Sequence, residues 1–201
     1  FYDVNLGNIL IDGVPVKEMT RKSLRKSFGM VLQETWLKAG TIKENIAMGK
    51  PDATDEEIKS ALKIADALDF VEALPLGIET AVGERGVNFS EGQVQRMSIA
   101  RAILRDAPVI VMDEATSALD NVTQEKVRQA ISAVGQSQKT VIIVAHRLST
   151  VAGADRILMI DQGRVLDQGT HQELLARCGA YRRLYEAETE SDADQAQGSS
   201  G

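Results

Sequence analysis

Two short runs constrain this chain more than anything else in it: "VIVM" at 109–112 and "TVIIVA" at 140–145. Both are β-branched and apolar, without the alternation of a half-solvated strand. Each therefore reads as a strand covered on both faces of a parallel sheet. Parallel neighbours need a crossover, and "TQEKVRQAISAVG" between the runs has the length and period of a crossover helix. The chain is thus expected to be α/β. In such sheets ligands bind at the carboxyl ends of the strands, so the residues after each run come first in any search for chemistry.

The rest of the chain fits around that unit. "NILIDG" (8–13) reads as a strand closed by a tight Asp-Gly turn, and "KEMTRKSLRKS" as a short helix. "FGMVLQ" (28–33) is a further strand ending on a polar residue, while "TIKENIAMG" reads as irregular or a single helical turn. Thr54 and Glu57 have capping-box spacing and open "TDEEIKSALKIADALDFVEAL", read as one helix closed by Pro75 and Gly77. Ser90 and Gln93 open another, which must end before Pro108. Residues 156–169 read as a hairpin with a Gln-Gly turn, and Thr170 with Glu173 caps the last helix. The tail is acidic and aperiodic and is expected to be disordered. The expected layout is an α/β core from 1–35 and 106–185, a helical insertion at 36–105, and a disordered tail at 186–201.

Composition excludes several function classes. A net charge of -6 argues against a general nucleic-acid binder, and Arg21, Lys22, Arg25 and Lys26 read as solvated helix surface. Cys178 is the only cysteine, so no internal disulfide can form; it is read as packing. No apolar run approaches the roughly 18 residues of a membrane span. The opening, "FYDVNLGNILIDG", lacks an initiator methionine and reads as the middle of a domain.

The candidate chemistry lies at strand ends and at one helix start. Asp113 and Glu114 follow "VIVM", and successive strand side chains point to opposite sides. A natural division gives Asp113 to Mg²⁺ through water and Glu114 to an attacking water as general base. His146 follows "TVIIVA" and could donate a hydrogen bond to a γ-phosphate. Gln33 ends its strand at the same edge, where its amide oxygen could complete a Mg²⁺ shell built mainly of waters and phosphates. His171 has no such context and reads as surface. Gly92, in the first turn of the Ser90 helix, weakens that helix and is useful only where something approaches the backbone. A helix start of this kind suits a phosphate. "TAVGERG" upstream, with Thr80, Gly83, Glu84, Arg85 and Gly86, is an extended glycine-flexed loop.

In this order the pieces resemble the nucleotide-binding domain of ATP-binding cassette (ABC) transporters, of the exporter type. Gln33 in "VLQETWLKAGTIKENI" resembles the Q-loop, and "FSEGQVQR" the family signature. "VIVMDE" resembles Walker B, "SALD" with Asp120 the D-loop, and "AHRLST" the H-loop carrying His146. The resemblance implies a P-loop NTPase, RecA-like core with an inserted helical subdomain. It implies ATP and Mg²⁺ as ligands and a second nucleotide-binding domain as partner. Glu114, His146 and Gln33 would be catalytic, and Ser90, Gly92, Gln93 and Asp120 would face nucleotide. Asp113 and Gln33 would serve the metal. The loop from Val82 to Gly86 and the Gln33 loop would meet coupling helices of a transmembrane domain. That implies a place at the cytoplasmic face of a membrane, with no nucleic-acid partner.

Two departures stand out. No Gly-x-x-x-x-Gly-Lys-[Ser/Thr] occurs in these 201 residues, so the phosphate loop and the N-terminal part of the core are expected upstream of Phe1, and the chain alone is expected not to hydrolyse ATP. The signature carries Phe89 and Glu91 where the family usually has leucine and glycine. Two other readings compete: a soluble ABC ATPase of DNA repair or translation, and a non-catalytic ABC-like binding or regulatory module. "TIKENIA", "VGERG" and the acidic charge count against the former, and the presence of Glu114 and His146 against the latter.

Overall fold

The structure is a computed structural model that describes residues 4–33, 35–83, 86–113, 139–145 and 147–198. The expected crossover helix, Glu114, Asp120 and His146 lie outside the described residues. The chain divides into two compact units, Phe1–Val144 and Ala145–Gly201.

The first unit opens with a hairpin of β1 (Leu10–Ile11) and β2 (Val14–Pro15). Asp12 and Gly13 both take positive φ, 49° and 79°, as a two-residue hairpin turn of right-handed twist requires. Helix α1 (Arg21–Lys26) follows under a Thr20 cap, with its basic residues exposed. Three strands then build the parallel sheet in the order β3 (Phe28–Val31), β6 (Val109–Asp113), β7 (Thr140–Val144). Between β3 and β6 lie the short antiparallel pair β4 (Gly40–Thr41) and β5 (Ala81–Val82), and four helices. These are α2 (Ile42–Ala47), α3 (Asp55–Ile64), α4 (Leu68–Glu72) and α5 (Glu91–Leu104).

One hydrophobic cluster runs through the unit. Ile42 and Ile46 of α2, Ile58 and Leu62 of α3, Met97 and Ile99 of α5, and Val31, Ile110 and Met112 of the sheet are all buried in it. The inserted helices therefore share a core with the sheet. Gly29 of β3 lies so close to α5 that an added Cβ would stand 3.3 Å from the Ala102 carbonyl oxygen.

Three expectations need correction in this unit. The segment after Thr54 is two helices. α3 ends in a turn where Asp66 takes φ +54° and the Ala67 N–H donates 2.8 Å to the Leu62 carbonyl, the 6→1 bond of a Schellman close. Asp stands where glycine is usual, so periodicity alone ran straight through the break. "TIKENIAMG" is a capped helix, since the Thr41 hydroxyl accepts from the Glu44 N–H at 3.1 Å while the Glu44 carboxylate takes the Thr41 N–H at 2.9 Å. Register places Met30, Val111 and Ile142 in one row, and among the described residues Met30, Ile142 and Val144 are exposed, the last two at 46% and 49%. Finally, β3 stops at Val31, so Gln33 lies in a bend beyond the strand.

The second unit holds α6 (Leu148–Val151), the hairpin β8 (Ile157–Asp161) and β9 (Arg164–Gly169), then α7 (His171–Arg177) and α8 (Gly179–Gly198). Gln162 and Gly163 turn the hairpin with φ of 46° and 74°. Ile157, Leu174, Cys178 and Tyr181 form its core. His171 is not a surface residue: its Nδ1 lies 2.8 Å from the Tyr181 hydroxyl, because a residue at the start of α7 faces the helix that follows. α8 continues through the stretch expected to be disordered. Alanine and glutamate are strong helix formers and no proline intervenes, so the helix needs no apolar stripe to persist. Among the described residues no helix is long and apolar enough to cross a membrane.

Candidate functional site

The carboxyl edge of the parallel sheet gathers one set of candidates. Register pairs Val31 with Met112, and Asp113 with Val144, so the strands end level with one another. Asp113 is half-buried at the tip of β6, and Gln33 is exposed two residues past β3. One amide oxygen and one carboxylate at a single edge form a donor set that suits Mg²⁺, which holds few protein ligands and keeps its waters. Among the described residues no group of three or more His, Cys, Asp and Glu could hold a metal unaided.

The second set stands at the start of α5. The Ser90 hydroxyl accepts from the Gln93 N–H at 3.3 Å, and the Gln93 amide oxygen takes the Ser90 N–H at 2.9 Å. The N–H groups of Glu91 and Gly92 are left to whatever approaches, at the positive end of a 14-residue helix. Glu91 is exposed and Gly92 half-buried. By helix rise Ser90 lies roughly 18 Å along the axis from Ala102, the turn packed on β3. Replacing Ser90 with alanine is expected to cost about 1 kcal/mol of stability, read as a melting shift of roughly 2–4 °C. An unchanged melting temperature would mean that the box contributes nothing.

Phe89 has a structural account. Its ring meets that of Phe70 in α4 at 6.2 Å between centroids, and Arg96 of α5 stacks on the far partner, 5.0 Å from the Phe70 centroid. Arg96 also bonds the backbone carbonyl and carboxylate of Asp66, at 3.2 and 3.3 Å. The left-handed turn that splits α3 from α4 is thereby tied to the helix that Ser90 begins. An aromatic ring at 89 fills a place built by aromatic and cationic neighbours.

Sequence reasoning missed a further group around Gln33. Asn45, buried in α2, accepts the Lys38 N–H at 2.8 Å and donates to the carbonyls of Lys38 and Thr41 at 2.8 and 2.9 Å. Arg101 of α5 donates through Nε to the Asn45 carbonyl at 2.9 Å, and its guanidinium lies 5.5 Å from the centre of the Trp36 ring. Burial pushes the Arg101 pKa down. Reading "TIKENIA" as a capped helix would have placed Asn45 on its inner face, but nothing in sequence joins it to Arg101.

The 80–86 loop is described in part, with Glu84 and Arg85 outside the described residues. Val82 bridges Val87, and Gly86 sits so tightly on the backbone of Ala81 and Val82 that a side chain there would collide with it.

The ABC transporter family model matches residues 1–117. Two Staphylococcus aureus proteins, of strains NCTC 8325 / PS 47 and COL, are each 49% identical over 185 residues; both are designated multidrug export ATP-binding/permease proteins. Each alignment covers 92% of this chain and 32% of the relative. Among solved structures, a bacterial Atm1-family ABC exporter with ATP bound superposes with a TM-score of 0.89 at 43% identity, covering 94% of this chain and 33% of that one. The chain spans about a third of the length of the relatives it matches.

Proposed function

Because this chain belongs to the ABC transporter family, we propose that it is the greater part of the ATP-hydrolysing domain of an exporter. The observation that carries the reading is the level ending of three parallel strands, with Asp113 at the tip of β6 and Gln33 just beyond β3 at the same edge. Relatives designated for multidrug export, and a structural neighbour that is an exporter, support the transport role.

ATP with Mg²⁺ supplies the phosphoanhydride bond that is broken. In the proposed division of labour, Glu114 accepts the proton of the attacking water and His146 donates a hydrogen bond towards the γ-phosphate. Gln33 and Asp113 would hold Mg²⁺, which would offset the charge of the phosphates. Ser90, Gly92 and Gln93 face the nucleotide of a second such domain, with Asp120 at the same interface. This separation agrees with the distance along α5 between Ser90 and the turn on β3. Val82–Gly86 and the Gln33 loop would meet a transmembrane domain at the cytoplasmic face of a membrane.

The test is ATP turnover by the 201-residue chain alone and by a polypeptide joining it to a phosphate-loop segment. Turnover is expected only from the joined protein, since no phosphate-loop sequence lies within these residues. Equal turnover by the chain alone would overturn the division of the site.

A further inference from the structure

Arg101 is placed where a cation gains little. It is half-buried, and among the described residues it has no carboxylate partner within ion-pair distance. Its contacts are instead backbone and side-chain oxygens and one ring: the Asn45 carbonyl at 2.9 Å, the Trp36 carbonyl and Asn45 Oδ1 at 3.5 Å, and the face of Trp36. Every one of those groups belongs to α2 or to the segment that follows Gln33. A half-buried guanidinium without an acid adds little stability, because its partial desolvation offsets its hydrogen bonds. Its planar fork, however, sets the relative position of the groups it bonds.

Asn45 extends the hold. It closes both hydrogen-bonding groups of the Lys38 backbone with one amide, a pair of 2.8 Å bonds. The chain from Gln33 to Thr41 is thus pinned at Lys38 and Thr41 to α2 and at Trp36 to α5, and α2 is itself pinned to α5.

We propose that Arg101 is a positioning residue which, with Asn45, holds the Trp36–Lys38 segment against α5, so that the helix begun by Ser90 and the segment following Gln33 move as one piece. This rests on the ATPase reading for its functional meaning, because there Ser90 and Gln33 serve two different nucleotides. The clasp would make occupancy at one nucleotide felt at the metal side of the other.

Trp36 is the only tryptophan in the chain, and its fluorescence reports the clasp directly. The 201-residue protein would be prepared as Arg101→Met and as Arg101→Lys, the latter keeping the charge without the fork. In both, acrylamide quenching of Trp36 is expected to rise and exchange of the Lys38 amide to speed up by about tenfold or more, while amides in the middle of α5 keep their parent rates. Lysine is expected not to rescue. Should the methionine variant fail to fold, the lysine variant decides alone. Parent-like quenching and Lys38 exchange in a folded variant would overturn the proposal. So would acceleration spread equally over Lys38 and α5, which marks general loosening. Neither readout involves ATP, so a failure of the ATPase reading leaves this result standing.

Discussion

Replacing Glu114 with glutamine is expected to lower ATP turnover about 10²–10⁴-fold in a protein that joins this chain to a phosphate loop, with ATP binding preserved. The two side chains are nearly the same size, but an amide cannot accept the proton that the attacking water must lose. The neighbouring Asp113 is assigned to the metal side in this proposal, so it is not expected to substitute. Separate measurement of kcat and of ATP affinity tells the roles apart. A loss of less than tenfold would remove Glu114 from the base role. A loss of binding equal to the loss of rate would place it in ground-state contact with the nucleotide.

The second large effect is expected far from the chemistry. Gly49 follows α2 at a place where the chain is pressed onto α5. A Cβ there would fall well inside van der Waals contact with the Arg101 carbonyl oxygen and 3.2 Å from the Arg105 nitrogen. Both are backbone atoms, so the clash cannot be relieved by a side-chain rotation. Gly49→Val is expected to cost about 3 kcal/mol or more, lowering the melting temperature by roughly 6–12 °C. A shift under about 2 °C would show that α2 and α5 can separate without penalty. That outcome would also weaken the clasp, because Asn45 lies on α2, four residues before Gly49.

What could be read from sequence was what depends on neighbours a few residues apart. The boxes at Thr54, Ser90 and Thr170 are three-residue relationships, and all three form. The Gln162–Gly163 turn is likewise local, and the strand runs are self-declaring. Thr41 and Glu44 have the same spacing, but the helix they open is only six residues long, too short for a periodic apolar pattern to mark it. The break at Asp66 had no such sign, since its left-handed residue is not glycine and its anchor, Arg96, lies 30 residues on. At the site, the placement of Gln33 and Asp113 towards one edge of the sheet was legible because parallel strands end on one side. Arg101 was not, because its partner at Asn45 is 56 residues away and the pair exists only once the helices pack.

The parallel sheet has a consequence for how the chain comes to be folded. Helices with their own caps and two-residue hairpins can form as soon as their residues exist, in microseconds or less. Pairing Phe28 with Val109 instead requires closing a loop of roughly 80 residues, whose entropy is recovered only when the whole strand pair is in register. During synthesis β3 therefore waits, with Phe28 and Met30 unpaired, until α5 and β6 have left the ribosome. The helical insertion is in effect the first thing finished, and α5 brings β6 back to the strand that has been waiting for it.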